Sequence, residues 1–197
     1  MVTAVSHSID RRAAVAALLR DRGTMLAVSG LGSPSYDLHA AGDSDANFYL
    51  WGAMGSAALV GLGLARAQPN RTILVVTGDG EQLMGLGGFA TIAVAAPRNL
   101  VIVVIDNGHF GETGMQLSHT GRGVELAAVA AACGIEARTV SDPNEVEAVR
   151  AALHAPFEAP RLFVLKVKAE NLPRSLPPRD AVEVKNRFRR HLGFETI

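Results

Sequence analysis

Residues 77–85 read Thr-Gly-Asp-Gly-Glu-Gln-Leu-Met-Gly and follow the apolar run 73–76. Two glycines flank Asp79 at a turn that opens a helix, so backbone amides and the positive end of the helix face whatever lies beyond the strand. Such a turn is shaped for an anion, yet Asp79 is itself an anion. An Asp-Gly turn alone is a common loop device and identifies nothing. No Gly-Lys-Ser/Thr follows, which removes a phosphate-loop NTPase. A dinucleotide site would use Gly78-x-Gly80 and a ribose-binding Asp106. It lacks the third glycine, where Leu83 stands, and it sets Asp79 against a pyrophosphate without compensation.

A divalent ion between carboxylate and phosphate removes the conflict. Magnesium takes octahedral oxygen ligands, typically one or two carboxylates plus phosphate oxygens. Twenty-six residues lie between Gly80 and Asn107, a span that holds one helix and one strand and returns to the same sheet edge. The backbone carbonyl of His109, two residues on, offers a third ligand. Asp79, Asn107 and His109 form the expected metal set.

The elements that must position this set are legible in the apolar pattern. Residues 8–22 read as an amphipathic helix capped by Ser8, 24–29 as a strand, and GLGSPS as a loop. The latter part of FYLWGAMGSAALVGLGLARA reads as a helix. RTILVV and NLVIVVI read as strands, and EQLMGLGGFATIAVAA between them as one helix. GVELAAVAAACG is a helix, EARTV a strand, DPNEVEAVRAALHA a helix capped by Asp142, and RLFVLKV the last strand. Continuous apolar strands alternating with helices indicate an α/β fold, a doubly wound parallel sheet with helices on both faces. Ligands then bind beyond the carboxyl ends of the strands.

The 197 residues are 48% hydrophobic and 19% charged, enough for a sizeable core in one domain with an appendage. Formal net charge is zero, which argues against nucleic-acid and membrane-surface partners. Neither a leader-like apolar segment nor an eighteen-residue apolar run is present, so a cytoplasmic protein is expected. The single cysteine, Cys133, excludes an internal disulfide and reads as a small core residue.

Gly78-Asp79-Gly80 with Asn107-Gly108 in a strand-helix-strand context resembles the metal–diphosphate motif of thiamine diphosphate enzymes. Gly52-Ala53-Met54-Gly55 resembles the segment in which an apolar residue props the cofactor into a V shape. The resemblance implies that role for Met54 and an aminopyrimidine contact from the Gly52 carbonyl; otherwise Met54 is a core residue at a helix start. SGLGSPSYDL, NFYLWGAMGSAALVGLGLA, GDGEQLMGLGGFATIA and DNGHFGETGMQ are similar to the diphosphate-binding (PP) half of sulfopyruvate and phosphonopyruvate decarboxylases. Cofactor contacts are accordingly expected from Gly30, Gly32, Ser33, Gly52, Met54, Gly78, Asp79, Gly80, Glu81, Asn107 and Phe110. For Gly30, Gly32 and Ser33 the alternative is a plain turn before Pro34.

The resemblance implies thiamine diphosphate and Mg2+ as cofactors and a 2-oxo acid as substrate. Glu112, His109 and Gln116, with His119 beside them, are the candidates for facing that substrate. Glu112 as a solvated loop acid and His119 as a surface histidine are the alternatives. Residues 1–170 would form the PP-type domain, and 171–197 a proline-rich linker and helix packing on that domain or on a partner. A whole β-type subunit is expected, inactive alone, with an α-type pyrimidine-binding subunit supplying the activating glutamate in an oligomer of dimers. The competing functions are an acetolactate synthase-like carboligase subunit, a noncatalytic diphosphate- or nucleotide-binding regulatory subunit, and a dinucleotide-dependent reductase. His7, His39, His154 and His191 read as structural or solvent-facing, and Arg187, Arg189 and Arg190 as a solvated or subunit-contacting run.

Overall fold

The structure, a computed structural model, describes residues 8–50 and 52–196. Six strands form one parallel sheet: β1 (Leu26–Ser29), β2 (Asn47–Tyr49), β3 (Ile73–Gly78), β4 (Leu100–Asp106), β7 (Glu136–Val140) and β8 (Arg161–Lys166), in the order β2-β1-β3-β4-β8-β7. All seven residues of β4 are buried, as an apolar run in a sheet covered on both faces must be. Side-chain alternation splits β4 between two cores. Val101, Val103 and Ile105 pack with α1 (Arg11–Leu19), α2 (Ser33–Ala40) and α7 (Val146–His154). Leu100, Ile102 and Val104 pack with α3 (Ala57–Ala67), α5 (Gly88–Ala95), α6 (Leu126–Ala132) and α8 (Ala181–His191). The doubly wound expectation is met. Truncating a fully buried residue such as Ile102 to alanine is expected to cost about 2–5 kcal/mol.

Small residues let α3 lie tightly on the sheet. A Cβ on Gly61 would run into the side chain of Val75. The first crossover moves from β1 to β2, and the chain then returns to the other side of β1 as β3. Strand order therefore reverses between β1 and β3, and a crevice opens at their carboxyl ends.

Several local expectations are corrected. Asp10, not Ser8, caps α1 by accepting from the amide of Ala13, because only from that position does a carboxylate meet the first free amides. Residues 33–40 are helical, started by Pro34 in the first turn, and 47–49 form an edge strand; neither element was expected. The helix expected across 81–96 is two helices, α4 (Asp79–Met84) and α5, broken at Gly85–Gly87. Gly85 lies against the carbonyl of Gly55, an approach that any side chain would prevent. Asp142 caps as expected, but a short 3-10 turn (Pro143–Glu145) precedes α7. Cys133 is half-buried beside the core.

The tail also differs from a solvated basic helix. Arg187 is buried, makes a paired contact with Asp43 (2.7 and 2.9 Å), and lies 5.6 Å from the centre of the Tyr49 ring. Phe188 packs against Phe48. His39, read as structural or solvent-facing, has its Nδ1 2.8 Å from the Ser175 hydroxyl, a structural contact. His7 lies outside the described residues.

Candidate cofactor cleft

β3 and β4 run in register, with Gly78 opposite Ile105, so Asp79 and Asn107 leave adjacent strands at the same edge. Asp79 begins α4 directly, and it is 3% exposed. β4 continues past Asp106 into a short hairpin, β5 (His109–Phe110) and β6 (Gln116–Leu117), which folds residues 118–120 back over Asp79. The Ser118 hydroxyl donates to Asp79 Oδ2. The Thr120 hydroxyl lies 3.1 Å from the same oxygen and 2.7 Å from Asp106 Oδ1, within reach of both carboxylates. Lys166 at the end of β8 pairs with Asp106 Oδ2 at 2.7 Å. Burial pushes the Asp79 carboxyl up to about 6, and the neighbouring Asp106 charge adds to it, against the hydrogen bonds from Ser118 and Thr120.

Asn107 closes an Asx turn, its Oδ1 accepting from the amide of His109 (2.9 Å). The Asn107 carbonyl accepts from His109 Nδ1 at 2.7 Å, which assigns the ring proton to Nδ1 and leaves Nε2 as an acceptor. Asp79, Asn107 and His109 all line one cleft of about 160 Å3. Among the described residues no three His, Cys, Asp or Glu side chains converge to hold a metal. The oxygen donors at this edge are instead one carboxylate, one amide and main-chain carbonyls. Such a set is short of charge for a metal held by protein alone, but suits a hard cation that also takes phosphate oxygens.

Glu81 lines the cleft and also braces the loops around it. It is 4% exposed and accepts from the Thr77 hydroxyl (3.0 Å), the Ala57 amide (3.4 Å) and the amides of Leu31 and Gly55. Its carboxylate lies against Gly30 so closely that a Cβ there would coincide with it. One side chain therefore ties together the loop after β1, the approach to α3 and the end of β3. Burial raises its pKa.

Ser33, Met54, Gly78, Gly80, Phe110 and Glu112 also line the cleft. Phe110 lies over Gly80, where a Cβ would meet its ring at 2.7 Å, and Met54 approaches the same spot. Gly32 adopts φ +75 and faces the Glu112 side chain. Gly52 also has a left-handed backbone, φ +71. Glu112 is held from outside by Arg174 (3.0 Å) and by the Tyr36 hydroxyl. Gln116 is exposed, bonded to Thr113, and not among the lining residues; His119 packs edge-on to Phe110, 6.4 Å between centroids. The sequence reading did not single out Ser118, Thr120, Lys166 or Arg11. Asp106, weighed there only as a ribose acid, turns out to be paired with Lys166.

Fold and cleft together define an α/β domain with a cleft at a strand-order switch, lined by a Gly-Asp-Gly turn and an Asx turn. Residues 40–167 match the family of thiamine pyrophosphate enzymes, C-terminal TPP binding domain, and the chain belongs to that family. It is 41% identical over 120 residues to sulfopyruvate decarboxylase subunit beta of Methanocaldococcus jannaschii, covering 61% of this chain and 63% of that one. It is 42% identical over 165 residues to phosphonopyruvate decarboxylase of Streptomyces hygroscopicus (82% and 40%). The β subunit from Methanothermobacter thermautotrophicus is 36% identical over 163 residues (83% and 84%). The chain thus spans under two thirds of the first two relatives and most of the third. A thiamine diphosphate-dependent 4-hydroxybenzoylformate decarboxylase from Rhodococcus jostii RHA1 shares the fold: TM-score 0.69, 17% identity, 86% of this chain and 34% of that one. No helix among the described residues is long and apolar enough to cross a membrane.

Proposed function

We propose that the chain is the diphosphate-binding, β-type subunit of a thiamine diphosphate- and Mg2+-dependent 2-oxo acid decarboxylase acting on sulfopyruvate- or phosphonopyruvate-like substrates. The observation that carries this reading is the convergence of Asp79, Asn107 and His109 on one cleft within a domain of this family. When bound, the cofactor supplies the nucleophilic carbon that adds to a 2-oxo group and accepts the electrons left by departing carbon dioxide.

The chain's own residues bind and orient. Asp79, the Asn107 amide and the His109 carbonyl hold the metal; Ser118 and Thr120 aim the Asp79 carboxylate. Glu81 fixes the loops that carry Gly30 to Ser33, and Met54 and Phe110 wall the cleft beside Gly80. Glu112 and His109 face the substrate side, with His109 Nε2 able to accept or return a proton. Gln116 reaches the substrate only if the hairpin turns inward.

A partner supplies the remainder of the site. Leu59, Met84 and Val94, on α3, α4 and α5, are exposed at 41%, 67% and 89%, an apolar surface that supports burial against another subunit. The residues 1–170 form the cofactor domain in this reading, and α8 locks 171–197 onto it.

The test is to combine the purified chain with a pyrimidine-binding subunit and to follow carbon dioxide release from sulfopyruvate and phosphonopyruvate. Release by the pair, with none from either alone, is the expected result. Release from the pair only when a second carbonyl compound is added would favour a carboligase.

A further inference from the structure

Arg11, the first residue of α1, is 3% exposed, and its side chain lines the cleft together with Ser33 and Asp79. Among the described residues its ion-pair partner is Asp37 of α2: Nε lies 3.3 Å from Oδ2, but out of hydrogen-bond geometry, and neither atom has a hydrogen-bond partner. Among the described residues, no N–H of this guanidinium donates a hydrogen bond. Asp37 is fully buried and is shared with Arg12, whose Nε donates to Oδ1 at 3.3 Å. Arg12 is otherwise satisfied, donating to the carbonyl of Pro173 at 2.9 Å. The next acid, Asp10, is turned to the amide of Ala13.

A guanidinium carries five donors, and leaving them unmet in a buried site is costly. Asp37 takes its hydrogen bond from Arg12, while Arg11 meets it by charge alone, so the N–H groups of Arg11 stay available to another oxygen. Next to it in the cleft stands Ser33 at the start of α2, an eight-residue helix whose cap position is Gly32 and which has no side-chain cap. A helix start whose first residue, Ser33, lines the cleft and a buried guanidinium that donates no hydrogen bond among the described residues then share one cleft, a combination suited to tetrahedral oxyanions.

We propose that Arg11 is an anion-binding residue of the cleft, donating its free N–H groups to a phosphoryl- or sulfonyl-type oxyanion. The proposal deepens the cofactor reading and rests on it for one of two sources: the terminal phosphate of the cofactor, or the acidic substituent of the substrate.

The experiment titrates the full chain, wild type, Arg11→Met and Arg11→Lys, with thiamine diphosphate plus Mg2+, with thiamine, and with inorganic phosphate and sulfate before and after cofactor loading. Lysine keeps the charge opposite Asp37 and removes the fork, which guards against a methionine variant that does not fold. If the cofactor phosphate is the ligand, thiamine diphosphate affinity falls about 10- to 100-fold in Arg11→Met, less in Arg11→Lys, and thiamine affinity does not move. If the substrate group is the ligand, cofactor affinity holds, and phosphate or sulfate binding to the loaded protein is lost. Failure of the wild type to bind thiamine diphosphate both alone and combined with a pyrimidine-binding subunit would sink the cofactor reading, while phosphate titration of the unloaded protein still tests Arg11. Unchanged affinity for every probe in a folded variant overturns the proposal.

Discussion

The Ser118 hydroxyl donates to the carboxylate of Asp79 across thirty-nine positions of sequence. The bond joins the loop after β6 to the first residue of α4, and both hydroxyls, Ser118 and Thr120, meet Oδ2. Groups that orient a metal-binding carboxylate typically change metal affinity 10- to 100-fold when removed. Ser118→Ala with Thr120→Val is therefore expected to weaken Mg2+-dependent cofactor binding about tenfold or more, measured by calorimetry on the folded variant, and to cost the metal-free protein about 1–3 kcal/mol because Asp79 and Asp106 lose buried donors. Undiminished Mg2+ affinity in the double variant would show that the hydroxyls do not aim Asp79.

The raised pKa of Asp79 gives a pH signature with two opposed signs. Its folded value, about 6, lies above the usual carboxylate value, so between roughly pH 4 and 6 the folded metal-free protein keeps a proton that the unfolded chain has lost. The stability contributed by this group is present below that window and is lost as pH rises through it. Asp37 and Glu81, also raised by burial, act in the same direction. Asp79→Asn should therefore flatten the melting temperature of the metal-free protein between pH 4.5 and 7, in intervals of about half a unit. In the wild type, Mg2+ affinity should fall as pH drops through 6. A pH-independent difference between wild type and variant would contradict the assignment.

Gly30 and Glu81 should behave as a coupled pair. Gly30→Ala drives a methyl group into the Glu81 carboxylate, an overpacking expected to cost about 1–3 kcal/mol. Glu81→Ala strands the Thr77 hydroxyl and backbone donors, with a loss on the order of 2–4 kcal/mol. The double variant should lose clearly less than the sum, because the clash disappears with the carboxylate. Denaturant unfolding of all four proteins measures this, and strict additivity would mean the two do not compete for that space.

Arg187→Ala should cost about 1–3 kcal/mol, since it removes a two-armed contact and leaves Asp43 and Tyr49 without it. Hydrogen exchange should localise the loosening to α8 and β2. Exchange elsewhere with α8 unaffected would count against a tail locked onto the sheet.

What the sequence disclosed follows from how local each signal is. The apolar runs of β3 and β4, and the spacing from Gly80 to Asn107, are properties of contiguous segments, and the structure bears out the sheet edge they imply. The break between α4 and α5 was not visible, because it depends on Gly85 meeting Gly55 thirty residues away. Ser118 and Thr120 read as ordinary loop hydroxyls until the β5–β6 hairpin turns them back over Asp79. Arg11 reads as one of two helix-surface arginines; only the placement of Asp37 on α2 distinguishes the satisfied one from the unsatisfied one. Arg187 was misjudged for the same reason, since its partner Asp43 lies in a loop at the opposite end of the chain.

The central claim is that Asp79 anchors the cofactor's diphosphate through a divalent ion. Calorimetric titration of thiamine diphosphate into wild-type and Asp79→Ala chain, each with Mg2+ and with a chelator, tests it most directly. Binding by the wild type only with Mg2+, and none by a folded Asp79→Ala variant, is the predicted result. Equal, Mg2+-dependent affinity in the two proteins would contradict the account.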